Sequence, residues 1–202
     1  MKRIVLILCL MLLFPVFSGC WSDWSESSQV KADIPVEVAD DVISQLKTYP
    51  DSYRETCKRT DLVIMDQGGE VLNENLWNDF YEKVQNGESA EIVVAYFTTE
   101  GDPILNYVRY DGASFYHVHD HSRDMFGAEP HYTAKTFTYL QSFVDVRTEM
   151  FVLSNTPLAD FDAYEEYCQT QPEPYPETLL RIIRHSGEPS SAEDWGDSEV
   201  WP

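Results

Sequence analysis

The hydrophobic positions recur at helical spacing in the first part of the chain and alternate as in strands further on. Apolar residues recur every three to four positions over about 36–48, and Pro50 stops the pattern. A second amphipathic stretch follows Asn73, a favourable N-cap, and ends at Asn86-Gly87, which is typical of a left-handed C-terminal cap. Two helices are therefore predicted in the first half of the chain.

Strand-like runs follow the second helix and are separated by turn signals. The first three lie at 91–98, 104–110 and 113–119. Asp111-Gly112 stands between the last two, and Asp-Gly is among the strongest hairpin markers in a sequence. Two more aromatic and β-branched runs are predicted strands at 132–144 and 146–154, and two short helices are predicted at 158–168 and 176–184.

This order of elements predicts an α+β fold: an antiparallel meander sheet with a helix packed on one face, plus short terminal helices. The chain has 202 residues and shows no internal repeat. Such a length fits one domain after removal of its terminal segments, and we place that single α+β domain at 35–186.

The N-terminus has the pattern of an export signal. Two cations at Lys2 and Arg3 precede an apolar run, and the small residues of FSGC lead into Cys20. This predicts a signal peptide at 1–19, since the run is too short to span a membrane comfortably. The cleavage region resembles a bacterial lipobox, although Phe17 departs from the usual leucine, and a buried N-terminal helix is the alternative. Lipidation of Cys20 would add two acyl chains, enough for stable attachment to a membrane.

The charge distribution restricts the partners. The formal net charge is −21, which argues against nucleic acid and against a body lying flat on anionic lipid. Residues 20–34 are polar and serine-rich, and we interpret them as a flexible tether with a reach of about 20 Å. Residues 187–202 are interpreted as an acidic disordered tail. The expected location is the extracytoplasmic face of the cell membrane, with the membrane itself a partner through the lipid on Cys20.

Two cysteines remain outside the signal peptide and the lipidation site. In an exported protein Cys57 and Cys168 are expected to form a disulfide. The alternative is that each is a free cysteine in the core, where the residue is common.

Several short motifs together resemble a known family. They are Gly-Glu-Val at 69–71, Gln85-Asn86-Gly87, TTEGDPI at 98–104, YDG at 110–112 and Ser122-Arg123-Asp124. Over 61–127 the chain looks like a family of Gram-positive lipoproteins catalogued as domain of unknown function 4362. The resemblance implies a secreted, lipid-anchored domain and brings no assigned activity, cofactor, partner or catalytic residue. The family's run before the Arg-Asp pair usually lacks histidines, so HVHDH is a departure from its pattern.

Three histidines at alternate positions are the most suggestive chemical feature of the chain. If Asp111-Gly112 forms a two-residue hairpin, Val108 faces Phe115, while His117 and His119 project from one sheet face. Two such imidazoles can share a metal ion, but a zinc site needs at least one more ligand.

That third ligand would have to come from His121, Asp120 or His131. The alternative is that His117, His119 and His121 are half-exposed at the end of a hairpin and titrate near ~6.5. We expect this second arrangement, because a motif of this size has a high false-positive risk.

Other chemical signatures are missing from the sequence. It has no phosphate-binding loop, no G-x-S-x-G elbow and no EF-hand spacing, so no catalytic residue and no cofactor is predicted. Two classes of function stay open. One is a non-enzymatic lipoprotein that binds an unknown protein or small molecule, and the other is a metal-binding protein or metallohydrolase that uses His117 and His119.

Overall fold

A computed structural model describes residues 36–66, 68–145, 148–170 and 176–183. The predicted signal peptide, tether and acidic tail, with Cys20, lie outside these residues. Within the described ranges, no helix is long and apolar enough to cross a membrane.

The described residues form short helices and nine strands. The helices are α1 (Asp40–Leu46), α2 (Tyr53–Thr56), α3 (Glu74–Gln85) and α4 (Phe161–Thr170). The strands are β1 (Val63–Met65), β2 (Val71–Leu72), β3 (Ala90–Phe97), β4 (Pro103–Tyr110), β5 (Phe115–Asp120), β6 (Tyr132–Phe137), β7 (Tyr139–Asp145), β8 (Thr148–Ser154) and β9 (Glu177–Ile183).

The strands form two sheets, and the predicted α+β class is confirmed. The larger sheet has the order β2-β1-β3-β4-β5-β6, and the smaller one has the order β7-β8-β9. All pairs are antiparallel except β1 with β3. The predicted meander is therefore present as β3 to β6, and the run predicted at 132–144 is divided into β6 and β7, which belong to different sheets.

The helix predicted at 176–184 is wrong, because residues 177–183 form strand β9. Its run ETLLRII is short and apolar, and periodicity alone does not separate a buried strand from a buried helix of that length. These residues form a strand because they pair with β8. The two strands are antiparallel, with Met150 opposite Arg181 and Phe151 opposite Leu180.

Both faces of the larger sheet are covered, whereas the sequence predicted a helix on one face. On the first face, α3 and the smaller sheet enclose one apolar cluster, in which Trp77 meets Phe151 with ring centroids 4.8 Å apart. On the second face α1 packs over a separate cluster through Val42 and Leu46. Strand β3 is consequently buried on both sides, with Val93 and Val94 in different clusters.

The hairpin between β4 and β5 has a wider turn than predicted. Tyr110 pairs with Phe115 and Val108 pairs with His117, so the register differs by two residues from the predicted one. The Asp111 carboxylate accepts the backbone N–H groups of Ala113 and Ser114 at 2.9 and 2.8 Å, which stabilises a four-residue turn. A shift of two keeps every side chain on its predicted face.

The N-terminal cap of α3 also differs from the prediction. Asn73 stands at the N-cap position with φ 59°, but its side chain makes no capping bond. Its amide instead donates to the carbonyls of Arg59 and Leu62, at 2.9 and 2.8 Å. The predicted left-handed cap at the C-terminus of α3 is confirmed, because Gly87 adopts φ 72° directly after Asn86.

The predicted disulfide is not formed in the structure, where Cys57 and Cys168 are both free. Cys57 packs against the cluster under α1, on the second face of the larger sheet. Cys168 lies on α4, which packs on the smaller sheet over the first face. The larger sheet thus separates the two thiols.

Candidate functional site

Four imidazoles line up along one margin of the first sheet face. Strand alternation places His117 and His119 on that face, His121 follows β5, and His131 precedes β6. Ring centroids are 6.5 Å apart for His117 and His119, 5.3 Å for His119 and His121, and 6.0 Å for His121 and His131. We call this set the histidine row. The structure thus brings the three predicted histidines together and adds His131.

Asn106 on β4 holds the inner end of the histidine row. Its Oδ1 lies 2.9 Å from Nε2 of His117 and 3.0 Å from Nδ1 of His119. An amide oxygen only accepts, so both rings donate to it. Asn106 and His117 are 3% and 2% exposed, and the Asn106 Nδ2 is buried without a hydrogen-bond partner among the described residues. This end of the row is therefore a buried polar cluster.

The expectation that the histidines are solvated and titrate near their ordinary value is wrong for His117 and His119. Burial disfavours the charged ring and lowers the pKa of His117 from 6.5 to about 4, although nearby Glu177 opposes the shift. Burial also lowers the pKa of His119. Glu177, on β9, is near both rings and pairs with Lys135.

The hydrogen bonds to Asn106 leave His117 and His119 at most one ring nitrogen each for a metal ion. Each ring already directs one nitrogen to Asn106 Oδ1, and His117 is enclosed. No group of three or more His, Cys, Asp or Glu residues within the described ranges is arranged to hold a metal ion.

The loop between β5 and β6 lies at the outer end of the histidine row, and we call it loop 121–131. Backbone bonds fold it into successive turns: Asp124 N–H donates to the His121 carbonyl and Gly127 N–H to the Asp124 carbonyl, each at 3.1 Å. The Asp124 carboxylate accepts the Phe126 N–H at 2.9 Å. Asp102, from the turn between β3 and β4, accepts the Met125 N–H at 3.1 Å. The loop backbone is thus held from within and from a neighbouring turn.

Arg123 fastens this loop to the body of the domain. Its side chain is 8% exposed, and its guanidinium contacts the buried carboxylate of Asp120 at 2.7 Å and the exposed carboxylate of Asp51 at 2.9 Å. It also donates to the carbonyls of Leu46 and Tyr49, at 2.7 and 3.1 Å. The Ser-Arg-Asp motif therefore has a structural role, since it joins loop 121–131 to the end of α1.

Loop 121–131 presents two large apolar side chains to solvent. Met125 is 81% exposed and Phe126 is 74% exposed. Sequence reasoning missed this pair, although an adjacent Met-Phe inside the polar, turn-rich stretch SRDMFGAEP was a visible signal. Because the backbone beneath is fixed by hydrogen bonds, the exposed pair is a feature of the fold.

A small cavity lies elsewhere, between the smaller sheet and α4. It has a volume of about 90 Å³ and is lined by Phe143, Thr148, Met150, Phe161 and Arg181. Pockets for drug-sized ligands measure about 300–1,000 Å³. This cavity is therefore too small to receive such a ligand.

One comparison with known proteins gives a match. Residues 59–139 match the family described as Domain of unknown function (DUF4362), which confirms the resemblance to that family. The matched segment runs from the residues after α2 to the start of β7 and contains the histidine row and loop 121–131. No curated protein and no solved structure matches the chain.

Proposed function

We propose that this chain, whose residues 59–139 match the DUF4362 family, is a lipid-anchored, extracytoplasmic interaction domain without enzymatic activity. It binds a partner protein through loop 121–131. The observation that carries this proposal is the exposed pair Met125 and Phe126, held outward on a loop that is fixed underneath.

The chemistry of the pair suits a protein interface. Methionine and aromatic side chains are enriched at the centres of interfaces relative to the rest of a protein surface. Their backbone N–H groups are bound to Asp102 and Asp124, so little loop entropy is lost when a partner docks.

The charges around the pair indicate the chemistry of the partner. Carboxylates of Asp102, Asp124 and Glu129 belong to this loop or contact it, and the whole chain has a net charge of −21. Complementarity favours a partner with an apolar pocket and a basic rim. A nucleic acid or an anionic bilayer would be repelled.

The proposed location follows from the N-terminal sequence. A signal peptide at 1–19 and a lipidated Cys20 would attach the chain to the outer face of the membrane, and the tether at 20–34 would give the domain freedom to reach its partner. Use of His117 and His119 in a metalloprotein is the less favoured function, because His117 is buried and no third ligand is arranged with them among the described residues.

Site-directed photo-crosslinking in cells of the native host tests the interaction. A benzoylphenylalanine placed at Phe126 is expected to give a discrete protein adduct, because this side chain would enter the partner's pocket. The matched control places the same probe at Val144, which is 75% exposed on the smaller sheet.

Two further variants make the result specific. Met125→Ser should reduce the adduct at position 126, and Cys20→Ser should reduce it by removing the proposed anchor. Equal adduct patterns at 126 and 144, or none at 126, would overturn the proposed interaction.

A further inference from the structure

The outer two imidazoles of the histidine row lie side by side at the base of loop 121–131. His121 and His131 lie directly opposite each other at the ends of β5 and β6, and the backbone N–H of His121 donates to the His131 carbonyl at 3.1 Å. Their side chains therefore share one face, since directly opposite residues have Cβ atoms about 5 Å apart.

The hydrogen bonds at Nε2 determine which nitrogen of each ring is free. Nε2 of His121 lies 2.9 Å from the carbonyl oxygen of Ala128, which only accepts, so this nitrogen carries the proton. Nε2 of His131 lies 2.8 Å from a carboxylate oxygen of Glu129. In the neutral ring with its proton on Nε2, the lone pair is on Nδ1.

Both Nδ1 atoms are shielded from solvent and have no hydrogen-bond partner among the described residues. Buried polar atoms without a partner are uncommon, and each one invites an explanation such as a bound ion. Metal-binding histidines typically donate their other ring N–H to a backbone carbonyl or a carboxylate, which orients the ring. Ala128 and Glu129 supply one acceptor of each kind.

The ring separation also fits a shared ion. With metal–nitrogen bonds of about 2 Å, two imidazoles at the tetrahedral angle on one ion have centroids roughly 5 Å apart, and wider angles at the ion extend this to about 6.5 Å. The centroids of His121 and His131 are 6.0 Å apart, with an interplanar angle of 77°. Gly127 allows this ring position, because a Cβ at that residue would stand 2.9 Å from Cδ2 of His121.

We propose that His121 and His131 bind one divalent ion of the zinc, nickel and copper class through their Nδ1 atoms. Water would reach the remaining coordination positions from the side of His131, whose side chain is 36% exposed although its Nδ1 is covered. Imidazole suits these ions, and copper(II) should bind most tightly among them. The ion would join the two ends of the loop that carries Met125 and Phe126. The site is independent of the interaction proposed for that pair.

Calorimetric titration of the tag-free chain from residue 21 onward, which lacks the metal-binding thiol of Cys20, with ZnCl₂ and CuCl₂ tests the site. We expect one equivalent of either ion, with tighter binding of copper, and a rise in melting temperature with metal concentration. His121→Gln and His131→Gln should each abolish this equivalent, whereas His119→Gln should retain it, because the Nδ1 of His119 is bonded to Asn106.

A variant that removes the hydrogen bond between His131 and Glu129 distinguishes binding at this site from nonspecific attraction of cations to an acidic protein. Glu129→Ala is expected to weaken binding by about tenfold, since loss of such an orienting partner typically costs 10–100-fold in metal affinity. Glu88→Ala removes an exposed acid elsewhere and should leave the affinity unchanged.

Nitrogen-15 spectra of the wild-type imidazoles give a readout that does not depend on the folding of variants. Zinc should shift the Nδ1 signals of two histidines while their Nε2 protons persist. Coordination through Nε2, or binding that none of the histidine variants changes, or equal loss in His119→Gln, would overturn the proposal.

Discussion

At the scale of single residues, distant chain segments decide how these histidines behave. The sequence predicted that His117 and His119 lie on one face, and strand alternation places them there. Their pKa values also respond to Glu177 on β9, sixty residues further along the chain than His117, which opposes the lowering of the pKa of both rings. The chemistry of His117 therefore depends on a strand that the sequence pattern predicted as a helix.

The pH dependence of stability should show the burial of His117. Folding lowers the pKa of His117 from 6.5 to about 4, so the unfolded chain binds more protons between these values. Stability is then fully present above pH 6.5 and is lost as the pH falls from 6.5 to 4, by roughly 3 kcal/mol in total.

Urea unfolding at pH 7, 5.5 and 4.5 measures the effect, with His117→Gln as the comparison. The variant should be less stable at pH 7, because it loses the packed ring beside Phe137. It should lose less stability than the wild type on acidification. Parallel pH curves for the two proteins would contradict the burial of a neutral His117.

At the scale of elements, α3 connects the two sheets. The rings of Trp77 and Tyr81 on this helix both contact Phe151 on β8, with centroids 4.8 and 5.2 Å away. The sequence predicted α3 from its apolar face, but nothing local showed that a second sheet would cover that face. These two aromatic contacts join α3 to the smaller sheet, and both elements share one apolar cluster with the larger sheet.

Removal of the Phe151 ring should destabilise the whole domain. Phe151→Ala is expected to lower the free energy of unfolding by about 3 to 5 kcal/mol, the usual cost for a buried phenylalanine. Urea denaturation followed by tryptophan fluorescence measures it. Val144→Ala on the same small sheet should change stability by less than about 0.5 kcal/mol, because Val144 is exposed. Similar effects for the two variants would contradict the packing of β8 on α3.

At the scale of the whole molecule, the proposed anchor and the domain are separate units of function. The domain holds loop 121–131 by contacts to its own body, such as those of Arg123 with Asp51 and Asp120. The proposed lipid on Cys20 would act through the proposed tether at 20–34, so we expect the fold not to depend on it.

Cys20→Ser should therefore change location without changing stability. We expect the variant to leave the membrane fraction or to accumulate as an uncleaved precursor, while the purified domain keeps its melting temperature. Fractionation of cells and thermal unfolding measure the two properties. A processed variant that stays attached as firmly as the wild type would contradict the lipoprotein interpretation.

The sequence by itself determined the features that depend on neighbours in the chain. The helix from Glu74 to Gln85, the strands from Ala90 to Asp120 and the left-handed cap at Gly87 follow from periodicity and turn chemistry within a few residues. Tertiary structure decided what depends on distant partners. Strand β9 exists through its pairing with β8, and His121 meets His131 because β5 pairs with β6. The residues next to a short apolar run or a single histidine do not show which surface it will pack against.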